Sequence, residues 1–386
     1  MLRNTWSFKS PTALVFGDNV AAELGAYLQK LNVRKVLVVT DDCIVKLGLA
    51  KPTLECAQKK YGIEFATFSK VQPEPPVENA SDALNLYRQE HCDGVVGFGG
   101  GSSLDVAKAV AMLVANGGKY QDYAGIGKVP KKCAPLVLMP TTSGTGSEVS
   151  MFSILTVNGS KAGVVDENIT ANLALVDPML TMSVPRSVTA ATGLDAFCHH
   201  LESFLSVNCS VLQEPMCLEG LRVISRYLRK AIGDGQNAES RYQMAYASTM
   251  GGYVMNLSEG AAANHGLAFS LGALFHVGHG LANAVLLQHV LPVVGLAELE
   301  KVRRVGKAMG ENLTGLSDIE ALQATVKAIQ ALVRDVGCDI PLRNFGVKEG
   351  DLDSLVAETN RQTRVMGHST YRLSSEQIKA IFARAL

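Results

Sequence analysis

The 386-residue chain lacks any excess of charge of one sign. Lysine plus arginine and aspartate plus glutamate number 36 each, so the formal net charge is zero. That removes the electrostatic basis for a nucleic acid or a membrane surface as partner. A neutral chain also has less charge repulsion against self-association, and a homodimer or larger homo-oligomer is expected. The eight cysteines (Cys43, Cys56, Cys92, Cys133, Cys198, Cys209, Cys217, Cys338) contain no CxxC pair. A chain of this length needs no disulfide staples, so they read as reduced thiols of a cytoplasmic protein. Cys198, beside His199, points about 100° away from it on a helix and is assigned to packing. The opening MLRNTWSFKSPTALVFG has no continuous apolar core of the kind a signal peptide carries. The most apolar late stretch, LANAVLLQHVLPVVGLAEL, is interrupted by Gln288, His289 and Pro292 and reads as too short and too polar to cross a bilayer. There is no internal repeat and no low-complexity linker.

What remains is a 47% hydrophobic chain, longer than one typical domain. Its first half alternates short apolar runs with helical stretches. KVLVVT (35–40), FATFS (65–69), DGVVGFGGG (93–101) and APLVLMPTT (134–142) read as strands, as do ILTV (154–157) and LALVD (173–177). Helices are expected after KVLVVT through about residue 60, over roughly 77–90, and over SLDVAKAVAMLVA. Strands separated by helices predict an α/β layer with parallel pairing. After Ser183 the apolar residues recur at helical spacing and strand alternation almost disappears. The expected architecture is an α/β dinucleotide-binding domain with a parallel sheet (1–180), then an all-α metal-binding domain (181–386). The junction lies near 177–185, and the join is expected to form a cleft for a small molecule.

Two groups of residues carry chemistry. Asp195 and His199, four apart in TGLDAFCHHLE, share one helix face. His265 and His279, with thirteen residues between them, leave room for a helix end and a turn. One carboxylate and three imidazoles suit Fe²⁺ or Zn²⁺, and a partly closed coordination sphere leaves a place for a substrate oxygen. Upstream, GFGGGSSLDVAK (97–108) puts Gly99, Gly100 and Gly101 between a strand and a helix. This is either a pyrophosphate cradle at a helix N-terminus or a turn capped by Ser102 or Ser103. Asp41, directly after KVLVVT, is either the ribose-diol acceptor of NAD or a helix N-cap, and Asp42 could share the role. In PTTSGTGSEVS (140–150), Thr141, Thr142, Ser143 and Thr145 offer hydroxyls to a phosphate or carboxamide, or simply build a turn.

Taken in order, these segments resemble the iron-containing (group III) alcohol dehydrogenases, the family of lactaldehyde reductase and 1,3-propanediol dehydrogenase. The matching residues are LVFG, Thr40–Asp41, GGGSSLDVAK, PTTSGTGSE, LVDP, TGLDAFCHHLE and HG…GHGLANA, nearly end to end. The resemblance implies NAD(H) held by Gly99, Gly100, Gly101, Ser102, Thr141, Thr142 and Thr145, with Asp41 at the adenosine ribose. It implies Asp195, His199, His265 and His279 as ligands of Fe²⁺, with Zn²⁺ as the alternative ion. It implies interconversion of a short primary alcohol and its aldehyde. The chain departs from the family at three places. Phe269 stands where many members have a second histidine, four after the ligand, so the usual proton path is absent. His276 stands where asparagine is common. MGHSTYR (366–372) replaces a CxxGNPR-like segment and brings in His368. Phe269, His276 and His368 are therefore expected at the substrate end, with His276 as proton relay or substrate residue. Donors and cations there suit an anionic sulfo- or phosphonoaldehyde. The competing functions are a dehydroquinate-synthase-like lyase using NAD and metal, and a non-catalytic nucleotide-binding protein.

Overall fold

The apolar runs of the first half become the parallel strands of a doubly covered sheet. The computed structural model of the protein describes residues 6–258 and 260–386. The first five residues of the opening segment therefore lie outside it. The strands are β1 (Ala13–Phe16), β2 (Lys35–Val39), β3 (Glu64–Phe68), β4 (Gly94–Gly99), β5 (Gly125–Ile126), β6 (Leu136–Pro140), β7 (Phe152–Val157), β8 (Ser160–Val165) and β9 (Leu173–Val176). Six of them form one sheet in the order β1-β9-β6-β4-β2-β3, parallel throughout. The central strands β4 and β6 are buried along their whole length. Burial on both faces is why they read as continuous apolar runs rather than alternating ones.

Helices α1 (Leu24–Lys30), α2 (Asp42–Leu47), α3 (Lys51–Tyr61), α4 (Val77–Gln89) and α5 (Gly101–Asn116) form the connections. The helical stretch expected up to residue 60 is broken in two, because Gly48 adopts φ +64° and ends α2. ILTV belongs not to the parallel sheet but to β7, which pairs antiparallel with β8 in a second sheet of order β5-β8-β7. The turn between them is Asn158–Gly159, both at positive φ, the two-residue hairpin geometry.

The chain divides into two compact units, one of Lys9–Ser183 and one of Val184–Leu386 with residues 6–8. The second is helical: α6 (Arg186–Leu205), α7 (Gln213–Gly233), α8 (Ala238–Leu257), α9 (Ala263–Phe275) and α10 (His279–Val294). These are followed by α11 (Leu299–Met309), α12 (Asp318–Asp335), α13 (Leu352–Arg361), α14 (Thr363–Gly367) and α15 (Ser375–Ala385). One correction falls here. His279–Ala297 is long and apolar enough, by length and composition, to cross a membrane, with mean hydropathy 1.6. Within the unit 56% of it is buried, against α6, α9, α12 and α15. Its apolarity fits the interior of a helical core.

Candidate metal centre and nucleotide loop

Three helices converge on the four predicted ligands. Asp195 and His199 stand one turn apart on α6, His265 in the first turn of α9, and His279 at the start of α10. One ligand atom from each lies within 4.8 Å of the others. Asp195 Oδ1 is 3.8 Å from His199 Nε2, 3.6 Å from His265 Nε2 and 3.5 Å from His279 Nε2. These separations are too long for hydrogen bonds. The 3.5 and 3.6 Å separations match the edge of a tetrahedron around an ion with bonds of about 2.0–2.2 Å, an edge of about 3.3–3.6 Å, and the 3.8 Å one is slightly longer. His265 Nε2 is buried with no hydrogen-bond partner, and a bound divalent ion would supply what that nitrogen lacks. The donor set therefore fits Fe²⁺ or Zn²⁺.

Glycines allow the convergence. Each ligand histidine of α9 and α10 is followed by one. A Cβ on Gly280 would stand 2.9 Å from the Ala191 carbonyl of α6, and one on Gly266 would strike Met366. Next to the ligands, His200 is held by the Ala247 carbonyl at 2.8 Å, in space left by Gly220.

The charges of the cluster set the protonation of its members. Burial acts to raise Asp195, but His199, His279 and His265 outweigh it and hold the carboxyl well below the usual range. Burial, partly opposed by Asp195, pulls His199 down to about 3, so it presents a neutral imidazole. His265 is raised to about 9: burial works against its protonation, and Glu202 and Asp195 overcome that. Of the four, only the His279 side chain has sizeable exposure, 29%, so the cluster opens to one side. On that side Phe269 stacks on His279 at 5.5 Å and meets His265 edge-on at 6.1 Å.

Two residues not foreseen in the sequence tie the cluster together. Glu202 accepts from the Asn264 and His265 backbone N–H groups and from His265 Nδ1. Asn283 donates to Asp195 Oδ1 at 2.8 Å. Their spacing was a usable signal. Glu202 is seven residues after Asp195 and Asn283 four after His279, each on the ligand face of its helix. His276 is the exposed C-cap of α9 at φ +54°. His368, after α14, donates its Nδ1–H to the Ala261 carbonyl at 2.9 Å. Neither touches the four ligands through a described hydrogen bond.

The other predicted group assembles at the carboxyl ends of β2, β4 and β6. The chain runs from β2 to β3 on one side, then returns past β2 to β4. Asp41 follows β2 and Gly99 ends β4, so both lie at this switch point, where open α/β sheets bind ligands. A Cβ on Gly99, at φ +156°, would meet Ser103 Oγ at 2.7 Å and Asp41 Oδ2 at 3.6 Å. One on Gly101 would meet Thr145 Cγ2 at 2.7 Å, and one on Gly100 Thr142 Oγ1 at 3.5 Å. The glycine turn and the hydroxyl loop are thus in contact, joined also by Thr141 N donating to the Gly99 carbonyl at 2.9 Å. The N-terminus of α5, with Ser102 half-buried in its first turn, has no side-chain cap. Its N–H groups are left to a ligand or water. Asp41 does cap α2, accepting from Ile44 N at 3.0 Å through Oδ1, while Oδ2 faces the glycine turn. Lys108 and Asp105 of the same motif turn inward instead. Fully buried, Lys108 donates to Ser147 Oγ, to the Ser150 carbonyl and hydroxyl, and to the Phe152 carbonyl.

Comparison with known proteins agrees with these two sites. Residues 11–178 match the iron-containing alcohol dehydrogenase family, and residues 189–386 match the C-terminal part of the Fe-containing alcohol dehydrogenase family. The chain is 38% identical over 362 residues to long-chain-alcohol dehydrogenase 1 of Geobacillus thermodenitrificans, covering 93% of this chain and 91% of that one. The crystal structure of 1,3-propanediol oxidoreductase superposes with a TM-score of 0.95 at 34% identity, covering 99% of this chain and all of the other. Sulfoacetaldehyde reductase from Bifidobacterium kashiwanohense, solved in complex with NAD⁺, gives 0.89 at 26% identity, covering 99% of each. The chain belongs to the iron-containing alcohol dehydrogenase family and is an oxidoreductase.

Proposed function

We propose that this protein is an NAD(H)- and Fe²⁺-dependent dehydrogenase that interconverts a short primary alcohol and its aldehyde. The observation that carries the reading is the convergence of Asp195, His199, His265 and His279 from three helices to within 4.8 Å, with His265 Nε2 buried and unpartnered. When bound, the nicotinamide supplies or accepts the hydride and the divalent ion polarises the carbonyl as a Lewis acid. The chain's own residues do the rest. The free N–H groups of Gly101 and Ser102 receive the pyrophosphate, where Gly99 and Gly100 permit close approach. Asp41 offers Oδ2 to the ribose diol, and its charge disfavours a 2′-phosphate. Thr145 Oγ1 accepts from Ser147 N at 3.2 Å, which leaves its O–H to donate to the cofactor, beside Thr141 and Thr142. Phe269 lines the open side of the cluster beside His279 and carries no proton. His276, exposed three residues before His279, is assigned the proton-relay or substrate role.

The finer reading is a polar or anionic aldehyde. It draws on His276 and His368 replacing the family's usual residues, and on the resemblance to a sulfoacetaldehyde reductase. The deciding experiment is NADH oxidation by the Fe²⁺- or Zn²⁺-loaded enzyme over neutral and anionic short aldehydes. Turnover is expected with some member of the panel and is expected to vanish on chelation. Undiminished turnover after complete metal removal overturns the metal-dependent mechanism. If aliphatic aldehydes outperform every anionic one in kcat/KM, the anionic reading falls and the dehydrogenase reading stands. Release of NADH-neutral product, with no net redox change, would instead favour the lyase.

A further inference from the structure

Two of the three ligand-bearing helices, α6 and α9, are linked by one carboxylate that is not itself a ligand. Helix α9 has Ala262 at its N-cap and no capping side chain of its own. Its first-turn donors are taken by Glu202 of α6, whose Oε1 accepts from Asn264 N at 2.6 Å and His265 N at 3.3 Å. Its other oxygen, Oε2, is hydrogen-bonded to His265 Nδ1. A carboxylate only accepts, so Nδ1 carries a proton and Nε2 is the ring nitrogen left for an ion. That nitrogen is the buried, unpartnered one facing Asp195.

We propose that Glu202 is the positioning residue of the metal centre. It fixes the register of α9 through Oε1 and the tautomer and direction of the His265 ring through Oε2. With Asp195 it also supplies the two negative charges that neutralise a divalent ion among three neutral imidazoles, which a buried site requires. The inference rests on the metal reading proposed above and extends it to a residue outside the ligand set.

The test compares metal-free wild-type protein with Glu202→Gln, which keeps the shape and one acceptor oxygen but loses the charge and the second acceptor. Zn²⁺ affinity is measured by competition with a chromophoric chelator, and the Co²⁺-loaded forms are compared by their visible absorption. Glu202→Gln is expected to weaken Zn²⁺ binding by about 10- to 100-fold. It should also alter the Co²⁺ band; the metal-free variant is expected to melt lower, because a buried donor loses its acceptor, so affinity and spectrum are read on folded protein. Wild-type-like Zn²⁺ affinity in the variant overturns the inference and leaves the metal reading intact. A wild-type chain that binds neither ion overturns both. Where the variant does not fold, ¹⁵N imidazole spectra of the Zn²⁺-loaded wild type decide. A protonated Nδ1 and a metal-shifted Nε2 on His265 are expected, and the opposite tautomer overturns the assignment.

Discussion

At the scale of single residues, Gly101 separates a functional loop from a mere turn. Alanine is the better helix former, so replacing Gly101 in the first turn of α5 favours the helix itself. The new Cβ, however, would stand 2.7 Å from Thr145 Cγ2 and 3.1 Å from its Oγ1, so the threonine must swing away. Gly101→Ala is therefore expected to raise the KM for NAD(H) by roughly tenfold or more, about 1.4 kcal/mol, with metal content unchanged. Adding Thr145→Ser removes the offending methyl and should restore part of the loss. An unaltered KM in Gly101→Ala argues that the hydroxyl loop does not touch the cofactor. A second prediction concerns the ligands. His265→Ala removes an imidazole that no neighbour can replace, and is expected to abolish aldehyde reduction and reduce bound metal by elemental analysis. Residues that ligate or line a loop were legible in the sequence because their chemistry and spacing are local. The spacing of Glu202 and Asn283 put them on the ligand faces of their helices, but what they hold there was not legible, because their partners lie on other helices, 62 and 88 residues away in the chain. Phe269 was legible as a departure, but its stacking on His279 needed the fold.

At the scale of elements, the pattern of β-branched runs and helical periods located nearly every strand of the main sheet and the long helices of the second half. What it missed has a physical cause. The strand β1 is four residues long and sits at a sheet edge, and β8 has only two buried residues, so each leaves a weak apolar signature. The hairpin did carry a signal, the Asn158–Gly159 dipeptide between two short apolar stretches. The connection of α5 to this second sheet was also hidden, because a lysine in DVAK reads as a surface charge. Lys108 is instead buried, with burial pulling it down to about 8 against the opposing pull of Asp105. It fastens α5 to the loop entering β7 by four acceptors. Lys108→Met leaves the Ser150 and Phe152 carbonyls and the Asp105 carboxylate without it. The expected loss is about 3 kcal/mol or more. For a unit of this size that is a fall of roughly 6–12 °C in melting temperature. A variant that melts with the wild type would show that water replaces the ammonium at no cost.

At the scale of the whole molecule, each unit has its own apolar core and its own ligand chemistry. Leu37, Val95, Leu104 and Leu138 belong to the core of the first, Leu194, Ile224, Leu287 and Leu332 to that of the second. The glycine turn and hydroxyl loop are built wholly within Lys9–Ser183, and the four ligands with Glu202 and Asn283 wholly within Val184–Leu386. Each ligand should therefore order a different set of backbone amides, since a bound ligand suppresses the local opening of the segments it contacts. Hydrogen exchange resolves this directly. Added NAD⁺ is expected to slow exchange at residues 99–104 and 141–145. Added Zn²⁺ is expected to slow it at 195–202, 263–266 and 279–283, where three helix segments close around one ion. Because Glu202 joins α6 to the uncapped start of α9, the metal effect should be largest at Asn264 and His265. Zn²⁺ protection confined to the glycine turn, with 263–266 exchanging as before, would place the ion elsewhere and remove the basis for the reaction proposed.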